Sequence, residues 1–145
     1  MLLARVPAHR PAARQAVGTV LRELLVLALD WPRSALRARP GFADVILSHK
    51  GVNHLVIEVT PPSSLRDHPA PLTERLERLW QYATREKIPC LGITDGVTLY
   101  VADVEQGRLH SRLQVSLTAP IPPVALWWLS RSGIHRPRPV SHPAR

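Results

Sequence analysis

The stretch from Asp44 to Thr60, DVILSHKGVNHLVIEVT, constrains the fold more than any other part of the chain. Lys50-Gly51 separates two runs rich in Val, Ile and Leu, the pattern of two antiparallel strands joined by a tight turn. Val45 and Leu47 on the first run, with Leu55, Ile57 and Val59 on the second, make an all-apolar face, so pairing has to join residues of equal parity. A loop centred on Gly51 meets that condition. It sets Asp44 opposite Glu58, Ile46 opposite Val56 and Ser48 opposite His54, with Thr60 just beyond Glu58 on the same face. Directly opposed like charges destabilise a strand pair unless something compensates them. A divalent cation or a basic side chain would do so. Hard cations such as Mg²⁺ are commonly held by one or two carboxylates plus substrate phosphates, which makes Asp44 and Glu58 a candidate half-site for metal-assisted phosphodiester chemistry. The alternative is a solvated strand end carrying two unrelated acids.

With 145 residues the chain is sized for one core under a modest sheet. Its formal charge of +8 comes from 17 arginines and 2 lysines against 11 acids, a balance that favours an anionic partner such as nucleic acid. A single cysteine, Cys90, excludes an internal disulfide framework and a cysteine-based zinc site, and an intracellular, cytoplasmic protein is expected. The longest apolar stretch, Leu24 to Leu29, is far short of the roughly 20 residues that cross a bilayer, so no membrane partner is expected.

Residues 1–11, with Pro7 and Pro11, read as a flexible lead-in. Ala13, Val17, Val20, Leu21, Leu24, Leu27 and Ala28 then fall on one face at helical spacing, and the pattern stops before Trp31-Pro32. Pro32 to Gly41 reads as a basic, turn-prone connection in which Arg33, Arg37 and Arg39 are either phosphate contacts or solvated loop residues. Pro61-Pro62-Ser63-Ser64 ends the hairpin, and a long loop runs to about Pro71. Leu72, Leu76, Leu79, Trp80 and Ala83 mark a second amphipathic helix. Beside its apolar face Arg75, Arg78, Tyr82 and Arg85 lie in a stripe about 80° wide, a candidate nucleic-acid surface or simply a solubilising flank. Pro89 to Thr94 reads as a central strand, Asp95-Gly96 as a turn, Val97 to Ala102 as a further strand, and Leu109 to Leu117 as the last.

The domain proper is therefore placed at 12–117. Residues 118–133 add a proline-rich segment and a short helix ending at Gly133, on which Trp127 and Trp128 cannot both face one core. The remainder, 134–145, is a basic tail expected to be disordered away from nucleic acid.

Asp44, the hairpin and Ile57-Glu58-Val59-Thr60 together resemble the Asp…Glu-x-Lys signature of the PD-(D/E)XK nuclease superfamily. The similarity is closest to the N-terminal nuclease domain of type I restriction enzyme R subunits and its small stand-alone relatives. LGITDGVTLYVAD resembles the Leu-Thr-Asn-Gly segment and following strand of that domain, and the order helix, hairpin, helix, strand, strand agrees over about residues 15 to 104. The resemblance implies an α/β fold with a restriction endonuclease-like three-layer core, a mixed sheet, an N-terminal helix and a crossover helix. It implies Asp44 and Glu58 as ligands of Mg²⁺ or Mn²⁺, DNA as substrate, and a place near the active site for Glu23. Two positions depart from the pattern. Thr60 stands where the family has its catalytic lysine, which weakens hydrolysis because a hydroxyl carries no charge to stabilise a developing anion. Arg78 stands at the glutamine of the Gln-x-x-x-Tyr motif whose tyrosine is Tyr82, and it is the candidate to replace the lysine's charge. Three functions follow as expectations: a metal-dependent nuclease with Asp44, Glu58 and Thr60 at its centre, a non-cutting DNA-binding module, or an interaction module docking a protein of a restriction-like system.

Overall fold

The computed structural model describes residues 10–38, 44–60, 69–118 and 124–136. The residues expected to form the lead-in before Arg10, Arg39 in the basic connection, the Pro61-Pro62-Ser63-Ser64 loop and the tail beyond Arg136 lie outside them.

Helix α1 spans Arg10–Glu23 and runs straight into a π-helical turn over Leu24–Ala28. A 3₁₀ turn, Arg33–Ala35, leads to the short strand β1, Leu36–Arg37. The acidic hairpin is β2, Asp44–His49, and β3, Val52–Val59, followed by helix α2, Pro69–Arg85. Strands β4 (Cys90–Thr94), β5 (Thr98–Glu105) and β6 (Arg108–Ser116) come next, and a 3₁₀ helix over Val124–Leu129 closes the described chain. The strands form one mixed sheet in the spatial order β1-β2-β3-β4-β5-β6. Among the described residues only β3 and β4 pair in parallel, because α2 carries the chain back between them, as a parallel connection requires. β4 is central and buried along its whole length, which explains its continuous apolar run.

The period-2 pattern divides the core into two sides. Val45, Leu47, Leu55, Ile57 and Val59 pack with Val17, Leu21 and Leu25 of the N-terminal helical segment. Ile46 and Val56 pack with Leu79 and Ala83 of α2. Each fully buried leucine contributes roughly 1.5–3 kcal/mol relative to exposure, and the helices owe their positions to these faces more than to intrinsic propensity. The Ala13 side chain lies outside the described residues, and the apolar face expected for α1 packs into the core from Val17 to Leu24. There the turn widens, with Leu29 N–H bonding Leu24 O at 3.2 Å, which is an i to i+5 bond. The extra residue per turn brings Leu25 and Leu29 inward and leaves Leu27 73% exposed, with Ala28 also exposed, so those two do not join the core as their spacing suggested.

The hairpin register agrees with expectation for Asp44↔Glu58 and Ile46↔Val56 and departs from it at the turn, where Ser48 faces Asn53 instead of His54. Lys50 and Gly51 both have positive φ, 53° and 77°, so the loop is a two-residue turn of the kind that matches strand twist. Parity is then restored by a β-bulge that leaves His54 as the extra residue. The β5–β6 hairpin repeats the device. Gln106 and Gly107 form the turn at φ 50° and 74°, and a bulge leaves Arg112 unpaired between Ser111 and Leu113. Within the connection read as basic and turn-prone, Leu36 and Arg37 form a short strand paired with Leu47 and Ile46.

Candidate functional site

The start of β2 and the ends of β3 and β4 share one edge of the sheet. Asp44 is the direct partner of Glu58, and across the parallel pair Glu58 lies beside Ile93 and Val59 beside Thr94. The Glu58 side chain is only 18% exposed, and Arg75 Nη1 donates to its Oε2 at 3.2 Å. The compensating charge at this carboxylate is therefore a basic side chain of α2. The helix geometry explains which one. At 100° per residue Arg75 is about 40° from the buried Leu79, whereas Arg78 is about 100° away. Arg75 accordingly reaches the sheet, and Arg78 is exposed on the helix surface. Arg75, and not Arg78, is thus the arginine of this stripe that meets Glu58.

Thr60 is fully buried. Its backbone N–H and its hydroxyl both donate to Thr94 O, at 2.8 and 3.2 Å. The Thr60 hydroxyl thus directs its proton at a neighbouring strand. Beyond it Asp95, also fully buried, accepts from the N–H groups of Val97 and Thr98 at 2.9 and 2.8 Å through Oδ1, a side-chain-closed turn. The Thr94 hydroxyl donates to Thr98 O at 2.8 Å and accepts from Gly96 N–H at 3.2 Å. Asp95 is the residue here that sequence reasoning treated only as a turn former. Its buried, doubly accepting carboxylate makes the end of β4 rigid beside Thr60.

The remaining residues of the α2 stripe separate. Tyr82 is half-buried against the apolar cluster beneath the helix, with the Arg85 guanidinium 5.5 Å from its ring centroid. Arg85 is 70% exposed and 3.7 Å from Glu86. Glu23 lies at the end of α1, whose core contacts are on the opposite side of the sheet from α2. Arg33 Nη1 and Nη2 donate to its two carboxylate oxygens at 2.9 and 3.3 Å. This pair lowers the Glu23 pKa and raises that of Arg33, by hydrogen bonding first and charge second. Both side chains are solvated, so the pair contributes little stability.

A second polar centre lies around a cavity of ≈ 310 Å³ lined by His54, Cys90, Asp103, Arg112, His135 and Arg136 among others. The two bulges aim His54 and Arg112 into it. Arg112 is 3% exposed and donates to Asp103 at 2.9 and 3.1 Å, to Trp128 O at 2.9 Å, and to the carbonyls of Gly133, Ile134 and Arg136 at 2.8, 3.1 and 2.8 Å. One arginine thus holds residues 128–136 against the sheet, where Leu126, Leu129 and Ile134 complete the main core. Ile134 to Arg136, placed in the tail by sequence, are a turn fastened by this guanidinium. The Cys90 thiol donates to Asp103 Oδ1 at 2.9 Å, and burial, then the Asp103 hydrogen bond and charge, push its pKa upward, so it is a structural thiol. His54 contacts His135 edge-on at 4.9 Å between ring centroids. Trp127 is 43% exposed and Trp128 half-buried, their rings edge-to-face at 5.2 Å.

Glu58, partly open to solvent and partnered in register by Asp44, offers hard carboxylate oxygens of the kind a hard cation takes, and one of them accepts from Arg75. Among the described residues no group of three or more His, Cys, Asp and Glu side chains is placed to hold a metal ion. Among them, too, no helix is long and apolar enough to cross a membrane. No family model matches the chain, and neither a curated protein nor a solved structure matches it significantly.

Proposed function

We propose that this chain is a DNA-acting protein of restriction endonuclease-like architecture, with Asp44 and Glu58 as the residues that would hold Mg²⁺ or Mn²⁺. The observation that carries this reading is the register pair Asp44↔Glu58 at the sheet edge from which the parallel α2 crossover departs. A bound ion would supply Lewis acidity and an activated water there. The chain's own residues do the rest: Arg75 balances Glu58, while Arg78 and Arg85 present positive charge along the exposed flank of α2. Duplex binding that weakens steeply with salt, and weakens further in Arg78→Ala/Arg85→Ala, is expected from such a surface. Cleavage in Mn²⁺ that disappears in Asp44→Asn and Glu58→Gln would support hydrolysis. A chain that does not retain duplex DNA even at low salt would sink the proposal.

A non-cutting DNA-binding module is the second reading, and two observations favour it. Glu58 is neutralised internally by Arg75, and the Thr60 hydroxyl is bonded to Thr94 instead of facing substrate with a charge. Under this reading DNA is bound and left intact with either metal. The half-exposed Trp127, with the Arg136 guanidinium 6.0 Å from its ring centroid, would then be a contact for a protein partner in a restriction-like system.

A further inference from the structure

The ion pair at Glu58 has a mechanical origin. Arg75 lies one helical turn before Leu79 and two before Ala83, and those two side chains are 1% and 0% exposed against the sheet. The packing of α2 therefore carries the guanidinium to the carboxylate. Arg75 is itself 27% exposed, so it is seated at the edge of the core with a path to solvent. A divalent cation and a guanidinium both require the carboxylate's lone pairs, and within a few ångströms they repel each other. Guanidinium also pairs readily with phosphate, by the same two-pronged geometry it uses for carboxylate.

We propose that Arg75 is a built-in counter-cation that competes with divalent metal for Glu58, holding the acidic edge closed until the phosphate backbone of a nucleic acid draws the guanidinium away. The proposal rests on the reading of Glu58 as a metal ligand. It makes metal and DNA mutually reinforcing ligands of the same edge: DNA removes the competitor of the metal, and metal releases Arg75 toward phosphate. Such coupling is reciprocal by thermodynamic necessity. It also explains why the charge opposite Glu58 sits on α2, the helix that exposes Arg78 and Arg85, and not on the sheet.

The test is Mn²⁺ binding to the full chain, followed by the loss of the free-ion paramagnetic resonance signal. Wild type, Arg75→Gln, Arg75→Lys, Glu58→Gln and the Arg75→Gln/Glu58→Gln double variant are compared, each checked by circular dichroism. Arg75→Gln is expected to bind Mn²⁺ on the order of tenfold more tightly than wild type. Arg75→Lys should fall between them, and the gain should vanish in the double variant. Short duplex DNA should tighten Mn²⁺ binding to wild type and leave Arg75→Gln unchanged. An Arg75→Gln chain that binds no better than wild type, or a gain that survives in the double variant, overturns the counter-cation. Duplex binding without any Arg75→Gln gain would leave the DNA reading standing and remove this one. A gain in Arg75→Gln with no duplex binding by wild type would remove the DNA reading and the release by phosphate, and keep the competition itself.

Discussion

Trp31 and Leu129, 98 positions apart in sequence, are joined by a hydrogen bond of 2.8 Å from the indole Nε1 to the main-chain carbonyl. Trp31 is 2% exposed, and Arg131 N–H returns a bond to Leu29 O at 3.0 Å. The C-terminal segment is thus tied to the chain just after α1 by two bonds running in opposite senses. In Trp31→Phe the ring volume is largely kept and the donor is lost, leaving a buried carbonyl without it. A loss of about 1–3 kcal/mol is expected in urea unfolding, with the m-value unchanged.

Arg112→Lys should be far more damaging than its conserved charge suggests. An ammonium has three donors and no fork, so it cannot serve Asp103 and four carbonyls together. The expected cost is roughly 3–5 kcal/mol, as for other disrupted buried ion pairs. Hydrogen exchange locates it: the amides of Arg131 and Ile134 should lose protection ahead of those in β4. Uniform loss across the sheet would show that Arg112 does not fasten this segment separately.

The chain should lose stability in mild acid. Burial lowers the pKa of His54 below its ordinary 6.5, and the neighbouring His135 and His49 lower it further, against a raising hydrogen bond with the His49 backbone. The native state then binds fewer protons than the unfolded state, so stability is fully present above about pH 6.5 and falls as the pH drops through the interval between the unfolded and folded values. The charged groups facing this ring across the cavity are Asp103, Glu105, Arg112 and Arg136. Thermal melts between pH 7.5 and 5 should show the decline, and His54→Phe should flatten it.

Gly96→Ala should destabilise by more than about 1 kcal/mol, because φ is +88° and an added Cβ would meet Val17 Cγ2 at 3.1 Å. Gly51→Ala isolates the backbone part, with φ +77° and nothing within 4 Å. The double change Gly96→Ala/Val17→Ala should recover any steric excess relative to the cost of Val17→Ala alone. Equal melting temperatures for the two single glycine variants would show that α1 yields to the added methyl.

The features that were legible in the sequence are those written in short-range periodicity. Alternation around Lys50-Gly51 set the Asp44–Glu58 pairing, and helical spacing from Leu76 to Ala83 announced the crossover helix. What escaped is governed by tertiary geometry. No spacing rule shows that the turn at Leu24 widens, or that the two tight turns are offset by bulges at His54 and Arg112, because strand twist and packing decide both. Arg112 reads as one more surface arginine until β6 meets the C-terminal segment. Arg75 was within reach: its angle to Leu79 on the helical wheel already set it nearer the core than Arg78. Arg75, Arg78 and Arg85 share one flank of the helix, and only packing against the sheet separates the inward one from the outward pair.

The sequential strand order has a consequence for how the protein matures on the ribosome. Each emerging described strand can join the one already made, and the α2 crossover interrupts this zipper-like growth between β3 and β4. The side of the sheet beneath Trp31 still stays open until Leu126, Leu129 and Ile134 leave the exit tunnel, since these close the larger core. A nascent chain halted after β6 would display its greasy side to chaperones. The turn clasped by Arg112 is the piece that covers that side.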